Sequence, residues 1–159
     1  EWHTNGNNQW IVENGIMRSK KSGSNLITNK KFNDFKLHIE FRFPEESNSG
    51  VYLRGRYEVQ VMDSKGHAPD KGLFGAVYGF IVPTEMAAKA PGEWQSYDIE
   101  LIGRMVTVTA NGKLIICRQE IPGITGGAID SNEGEPGPIY LQGDHGAIDY
   151  RNIVITPAK

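Results

Sequence analysis

The sequence predicts an all-β fold in which two antiparallel sheets pack face to face. Many short segments alternate apolar and polar side chains with period two, which is the pattern of a half-buried strand. The 19 glycines and eight prolines supply many turns, and no strand–helix–strand repeat indicates a parallel sheet. We count eleven or twelve short strands in 159 residues, without an internal repeat or a linker. We therefore expect one β-sandwich domain over residues 1–159.

The chain begins with a polar stretch, residues 1–8, which we expect to be loosely structured. A hairpin is predicted over residues 9–18, because two apolar runs flank Asn14-Gly15, a pair that favours a tight turn. Residues 26–28 read as a short strand.

Three alternating strands are predicted between residues 35 and 63. The link between the first and second is turn-rich, and Gly55-Arg56 leaves only a tight turn before the third. Their polar side chains are unusual for a solvent face and suit the binding of a polyhydroxylated ligand, so we expect one sheet to carry a concave polar face. These side chains belong to His38, Glu40, Arg42, Tyr52, Arg54, Glu58 and Gln60.

Two long loops and two hairpins make up the rest of the chain. The first loop, residues 64–93, is predicted to hold a strand at 76–81 and a helical turn at 84–89. A clean alternation over 94–102 leads into a hairpin through Asn111-Gly112. A second loop covers residues 119–137, and the last strands are predicted at 138–142 and 147–155. We expect the two loops to wall the concave face.

The composition argues against several classes of partner. The net charge is −2, and no lysine or arginine stripe indicates nucleic-acid binding. No apolar segment is long enough for membrane insertion. The single cysteine, Cys117, cannot form an internal disulfide, and its place in an alternating stretch predicts a small buried side chain. The oligomeric state is left open by the sequence.

Glu58 is the leading candidate for catalysis. It shares one strand face with Gln60, and a retaining glycosidase would need a second carboxyl about 5 Å away. Position i+4 from Glu58 is Met62, and Asp63 has the wrong parity for that face unless a bulge intervenes. Glu40, on another strand, remains as the second carboxyl. The alternative role for Glu58 is a structural ion pair with Arg54.

His145 is the second catalytic candidate, because its flanking glycines let the backbone bring the imidazole towards a ligand. His38 and His67 are weaker candidates. Further candidate ligand contacts are Tyr78 in the first loop, Trp94 as a stacking platform, and Lys89 at the end of the predicted helical turn. The acidic residues follow no metal-binding spacing, so the sequence assigns no metal ligands.

Five strings carry a resemblance to a known family: NSGVYLRGRYEVQVMDS, GAVYG, KAPGEWQSYDI, VTVTANGK and GPIYLQGDHGAIDYRNIVI. Together they resemble the 3-keto-disaccharide hydrolase family from about Trp10 to Ile155. The resemblance implies a concanavalin-like jelly roll and a bacterial, exported protein acting on glycosides whose C3 hydroxyl is oxidised to a ketone. No signal sequence is present in the chain, so the expectation of a periplasmic or extracellular location rests on the resemblance.

The implied chemistry needs a single base. A C3 ketone acidifies the proton on C2, a base removes it, the C1 substituent leaves, and water adds. We assign the base to Glu58 or His145, and the stabiliser of the developing oxyanion to Arg54, Lys89 or a divalent metal. Gln60 and Glu40 would hold sugar hydroxyls. Two alternatives stay open: a non-catalytic carbohydrate-binding module and a two-carboxylate endoglucanase.

Overall fold

The computed structural model describes residues 1–158 and consists of β-strands, turns and loops, with no α-helix in that range. The twelve strands are β1 (Trp2–Thr4), β2 (Ile11–Glu13), β3 (Ile16–Ser19), β4 (Leu26–Thr28), β5 (Phe35–Arg42), β6 (Asn48–Leu53), β7 (Tyr57–Met62), β8 (Gln95–Ile102), β9 (Met105–Ala110), β10 (Lys113–Glu120), β11 (Tyr140–Leu141) and β12 (Ile148–Pro157).

The strands form two antiparallel sheets, which confirms the predicted sandwich. One sheet has five strands in the order β1-β4-β11-β6-β7, and the other has seven in the order β10-β9-β8-β5-β12-β3-β2. The inward side chains of the two sheets make one apolar core, in which the rings of Phe41 and Tyr97 lie 4.8 Å apart.

Both hairpins read from Asn-Gly pairs are confirmed. Asn14 and Gly15 have φ values of 52° and 77°, and Asn111 and Gly112 have 51° and 80°. Two successive positive φ angles are what a two-residue hairpin turn with the twist of the flanking strands requires. The turn between β6 and β7 begins one residue earlier than predicted, at Arg54, which also has a positive φ followed by Gly55; it leaves three residues between Leu53 and its partner Tyr57.

The polar side chains of residues 35–63 do not share one surface. Strand β5 belongs to the seven-stranded sheet, whereas β6 and β7 belong to the five-stranded sheet. Because the inner faces of both sheets are apolar, the polar side chains of β5 point to the opposite side of the sandwich from those of β6 and β7. The expectation of a common face was wrong, because alternation shows which side chains point away from the core but not which sheet carries them.

Several local expectations also fail. No helical turn forms at residues 84–89, and Val77 makes only isolated bridges to Val59 and Ile81 in place of a strand. The first residues are ordered as β1. Cys117 is exposed, because register shifts on either side of Ile116 change the parity of β10. No helix in residues 1–158 is long and apolar enough to cross a membrane.

Candidate active site

A pocket of about 290 Å³ lies against the outer face of β6 and β7. It contains four of the predicted site residues: Glu58, Gln60, Tyr78 and His145. The full lining is Asn48, Tyr52, Glu58, Gln60, Tyr78, Gly126, Gly127, Tyr140, Gln142, Asp144 and His145. The volume is at the small end of the range for ligand sites and suits a ligand of about one sugar ring.

The two long loops hold the strand that carries Glu58. The Glu58 amide donates to the Thr125 hydroxyl at 2.9 Å, and the Glu58 carbonyl accepts from the Tyr78 amide at 3.0 Å. Two residues along, the Gln60 amide donates to the Ala76 carbonyl at 2.9 Å. The first loop thus covers the free edge of β7, and both loops wall the pocket, as the sequence predicted.

The core fixes the same strand from behind. The hydroxyl of Tyr97, on β8 of the opposite sheet, donates to the Gln60 carbonyl and accepts from the Gly75 amide at 2.9 Å. This bridge crosses the sandwich, so the strand that presents Glu58 and Gln60 is tied to both sheets. A rigid strand is a precise support for a catalytic side chain.

The carboxyl of Glu58 is nearly buried, with 5% of the residue exposed. Burial raises its pKa to about 7, and the charge of Asp144 acts in the same direction. The hydrogen bond from Tyr52 (3.1 Å) and the charge of His145 lower the pKa, but they only partly offset burial. A carboxyl with this pKa exchanges protons near neutrality, which is what a general base or acid requires.

Gly50 makes room for that carboxyl. Gly50 pairs with Gln60 across β6 and β7, and the Glu58 side chain lies over its backbone. A methyl group at Gly50 would sit 2.1 Å from Oε2 of Glu58, far inside van der Waals contact. The glycine is needed here for close approach and not for a special backbone angle.

Two acceptor atoms in the pocket lining have no hydrogen-bond partner among residues 1–158. They are Oε1 of Gln60 and Oδ1 of Asn48. The Gln60 side-chain nitrogen is used, because it donates to the Gly72 carbonyl at 3.2 Å. Buried polar atoms are normally paired, so unpaired acceptors in a pocket indicate a ligand that brings donors such as hydroxyl groups.

His145 lies at the exposed rim of the pocket. Its Nδ1 is hydrogen-bonded to the carboxylate of the adjacent Asp144, and about half of each side chain is accessible. A carboxylate on one ring nitrogen fixes the imidazole and leaves Nε2 for a ligand. The His145–Asp144 pair thus lies at the rim, while the Glu58 carboxyl lies inside the pocket.

Glu40 and Trp94 lie outside the pocket, on the outer face of the seven-stranded sheet. Glu40 accepts hydrogen bonds from His38, Arg151 and Asn152 at 2.8–3.0 Å. The bond to His38, with Arg151 and Asn152, lowers the pKa of Glu40 to about 2. Trp94 is covered by the guanidinium of Arg151, which lies 3.7 Å from the ring centroid, and a second guanidinium lies 4.5 Å away. Neither residue is placed to contact a ligand in the pocket.

Arg54 and Lys89 are also outside the pocket. Arg54 is buried at the β6–β7 turn, where its guanidinium donates to the Asn33 carbonyl at 2.6 Å and to Asp34 at 3.0 Å. It therefore does not form the ion pair with Glu58 that was considered from the sequence. Lys89 is exposed, and its ammonium lies near the Trp94 carbonyl. Among residues 1–158, no lysine or arginine belongs to the pocket lining.

Tyr52, which was expected on the ligand-binding polar face, also lines the pocket. Four lining side chains were not predicted: Asn48, Tyr140, Gln142 and Asp144. For Asp144 a signal was present, because it adjoins His145 in the Gly-flanked turn. Asn48 is the first residue of β6, and Tyr140 and Gln142 depend on β11 lying beside β6, where Tyr140 pairs with Tyr52.

Within residues 1–158, no group of three or more His, Cys, Asp or Glu side chains is placed to hold a metal ion. A larger cavity of about 670 Å³ lies elsewhere, with a mainly apolar lining that includes Trp2, Met17 and Ile153. We take the smaller pocket as the candidate site, because among the cavities formed by residues 1–158 it alone combines a buried carboxyl of raised pKa with unpaired acceptors.

Comparison with known proteins gives a family match and several similar structures. The model of the 3-keto-α-glucoside-1,2-lyase-like domain family matches residues 1–156. A candidate glycosyl hydrolase from Parabacteroides distasonis ATCC 8503 is 32% identical, with a TM-score of 0.83 over 99% of this chain and 78% of that chain. No curated protein matches the chain.

Two more distant structures share the fold alone. A carbohydrate-binding module of class CBM66 from Bacillus subtilis is 14% identical, with a TM-score of 0.60 over 98% of this chain and 94% of its own. A β-glucanase from Bacillus licheniformis is 12% identical, with a TM-score of 0.62 over 99% and 92%. The same sandwich therefore serves both binding and hydrolysis, and the choice between them depends on the site.

Proposed function

The chain belongs to the 3-keto-α-glucoside-1,2-lyase-like domain family, and from this premise we propose that it cleaves 3-keto-glycosides by elimination across C1 and C2, followed by hydration. The observation that carries the proposal is the Glu58 carboxyl, which is buried in a sugar-sized pocket and has a pKa of about 7. The family membership and the glycosyl hydrolase relative support a glycoside hydrolase-like activity; the keto substrate and the elimination route are the proposal.

Glu58 is the base in this mechanism. Its carboxylate removes the proton from C2, and the C2–H electrons form a C2=C3 double bond while the C3 oxygen becomes an enolate. The C3=O bond then re-forms, a C1=C2 double bond appears, and the C1–O bond breaks. In the second half, water adds to C1 and gives up one proton to His145, which has protonated the leaving oxygen, and protonated Glu58 returns its proton to C2.

His145 and Asp144 are placed for the leaving group. The departing oxygen at C1 needs a proton, and an imidazole held by a carboxylate at the rim can supply one where the aglycone leaves the pocket. Inside the pocket, the unpaired oxygens of Gln60 and Asn48 accept hydrogen bonds from sugar hydroxyls. These contacts orient the ring so that its C2–H bond faces Glu58.

The site fits a two-carboxylate glycosidase less well. Such an enzyme needs a nucleophile and an acid on opposite sides of the scissile bond. Among the lining residues the only other carboxyl is Asp144, which is exposed at the rim and bound to His145. A pure binding module also fits less well, because burying an ionisable carboxyl without a close charged partner is costly, and a neutral amide could accept hydrogen bonds from sugar hydroxyls without that cost.

The test compares a 3-keto-glucoside with its unoxidised parent. We expect turnover of the keto compound alone, with exchange of the C2 hydrogen for deuterium in D₂O. Because the pKa of Glu58 is raised to about 7, its basic form predominates only above that pH, so kcat/KM should rise as the pH passes through that value. A repeat with a chelator determines whether a divalent metal assists the oxyanion.

Equal turnover of both compounds would overturn the proposal in favour of an ordinary glycosidase. Binding of the keto compound without C2 exchange or cleavage would overturn it in favour of a binding module.

A further inference from the structure

Two tyrosines face each other in the pocket and use their hydroxyl protons differently. Tyr52 on β6 and Tyr140 on β11 are cross-strand partners, and their ring centroids lie 4.6 Å apart. Both line the pocket with Glu58. A phenol carries one proton, so each hydroxyl can donate once and accept from others.

The proton of Tyr52 is occupied. Its hydroxyl lies 3.1 Å from Oε1 of Glu58 and 2.8 Å from the Gly126 carbonyl. Both partners accept, so the proton of Tyr52 stays within the protein whenever Glu58 is ionised. Tyr52 positions the base and has nothing left to donate to a ligand.

The proton of Tyr140 is in the opposite situation. The Tyr140 hydroxyl accepts a hydrogen bond from the side-chain nitrogen of Asn25. The orientation of that amide is fixed, because its oxygen accepts from the Gly143 amide at 2.8 Å. The Tyr140 proton cannot point towards a donor, and no acceptor for it is found among residues 1–158.

We propose that the Tyr140 hydroxyl donates its hydrogen bond to the C3 oxygen of the bound keto sugar, with Asn25 as the residue that positions it. This inference rests on the proposed function and supplies its missing part. The enolate needs a stabiliser, and the cations expected from the sequence, Arg54 and Lys89, lie elsewhere. A donor that is already held in the pocket lining by Asn25 stabilises a developing oxyanion with little reorganisation.

Burial also keeps Tyr140 a donor. It raises the pKa of the phenol, and the charges of Asp144 and Glu58 act in the same direction. The hydroxyl therefore stays protonated while Glu58 titrates. In the reaction the proton remains on Tyr140: the hydrogen bond strengthens as charge builds on the C3 oxygen and weakens when the C3=O bond re-forms.

The kinetic test is Tyr140→Phe, which removes the hydroxyl and keeps the ring. Loss of one oxyanion donor lowers kcat by roughly 10²- to 10³-fold, and KM should change little because sugar hydroxyls are held by other groups. The matched control is Tyr57→Phe, whose hydroxyl bonds Glu133 at 2.7 Å outside the pocket. The control should keep full turnover. Unchanged kcat in Tyr140→Phe would overturn the inference.

A second measurement does not depend on turnover. A 3-keto C-glycoside has no oxygen leaving group, so it binds without being cleaved. Its carbonyl stretch should shift to lower wavenumber in the wild-type protein, and the shift should be lost in Tyr140→Phe. Asn25→Ala, which keeps the phenol but removes its positioning group, should weaken the shift and serves if Tyr140→Phe does not fold.

The two readouts separate the two proposals. A shifted carbonyl in a protein that cleaves no 3-keto-glycoside would support the Tyr140 contact and overturn the elimination activity. Cleavage by a protein whose carbonyl shift survives in Tyr140→Phe would support the activity and overturn the contact.

Discussion

The two outer faces of the sandwich both carry carboxylates, yet only one has the features of a reactive site. On the seven-stranded sheet Glu40 is surrounded by cationic and amide donors, and its pKa falls to about 2. On the five-stranded sheet Glu58 has one phenol as a donor and is buried, and its pKa rises to about 7. The same side chain is thus fixed as an anion on one face and kept near its titration point on the other.

The seven-stranded face is saturated with partners. Asp149 on β12 accepts from Arg18 and Arg42 on the two neighbouring strands at 2.8–3.2 Å, and Arg151 joins Glu40 to the ring of Trp94. Every charge in this network has an opposite charge or a ring beside it. Such a network supports the sheet and offers little to a ligand.

The pocket face keeps polar atoms that have no hydrogen-bond partner among residues 1–158. Gln60 and Asn48 each keep an oxygen without a partner, and Tyr140 keeps a proton without an acceptor. Both faces are rich in polar residues, so the number of polar residues does not identify a site. What distinguishes the pocket face is hydrogen-bond donors and acceptors that have no partner within the part of the protein that the structure describes.

The largest effect is expected when the same change, Glu to Gln, is made on each face, at Glu58 and at Glu40. We expect Glu58→Gln to lower turnover of a 3-keto-glycoside by about 10³-fold, because the base is lost while the shape is kept. Glu40→Gln should stay within about twofold of wild type in kcat, although it loses its ion pairs. The measurement is steady-state turnover of both variants at pH 8, with thermal unfolding as a check on folding.

A large loss in both variants, or in Glu40→Gln alone, would break the distinction between the faces. Retained turnover in Glu58→Gln would show that Glu58 is not the base and would favour His145 in that role.

Gly50→Ala tests whether the position of the Glu58 carboxyl matters, because it displaces this carboxyl without removing it. The added methyl would lie 2.1 Å from Oε2 of Glu58, so the carboxyl must leave its place over β6. We expect kcat to fall by about 10- to 100-fold, since misplacing a reacting group by about 1 Å costs that order of rate. Gly134→Ala, at an open position in the second loop, should be silent. Equal kcat in Gly50→Ala and wild type would show that the position of the carboxyl over β6 is unimportant.

Asp149→Asn is expected to have the smallest effect, and that effect is on stability and not on turnover. The change leaves two arginines on the seven-stranded face without their shared counter-charge, which should lower the free energy of unfolding by about 1–2 kcal/mol. Turnover should not change, because Asp149 lies on the far side of the sandwich. Denaturant unfolding and kcat measured on one preparation give both answers. A fall in kcat with unchanged stability would link the two faces in a way that the structure does not suggest.

Much of this structure followed from local patterns. The Asn-Gly turns, the alternation in β5, β6, β7 and β8, and the two long loops were all predicted in place. Glu58, Gln60, Tyr78 and His145 were named from strand parity and glycine flanks, and the structure brings them to one pocket. The site residues that failed did so for different reasons: Glu40 lies on the other sheet, Arg54 lies in the turn after β6, where alternation ends, and Lys89 and Trp94 were proposed from their chemistry alone. Strands that follow one another in the chain, such as β5 and β6, can join different sheets, and the sequence does not show which sheet each one joins.

By itself, the sequence determined the class of fold, the inward and outward side chains and the family, because these depend on period-two alternation, turn residues and contiguous motifs. The tertiary structure decided which polar groups remain unsatisfied. The pKa of Glu40 falls to about 2 through its hydrogen bond with His38 and, further, through Arg151, which is 111 residues away in the chain. The pKa of Glu58 rises to about 7 because the folded chain buries its carboxyl. Desolvation and charge pairing act through space, so only the folded chain separates Glu58 from Glu40.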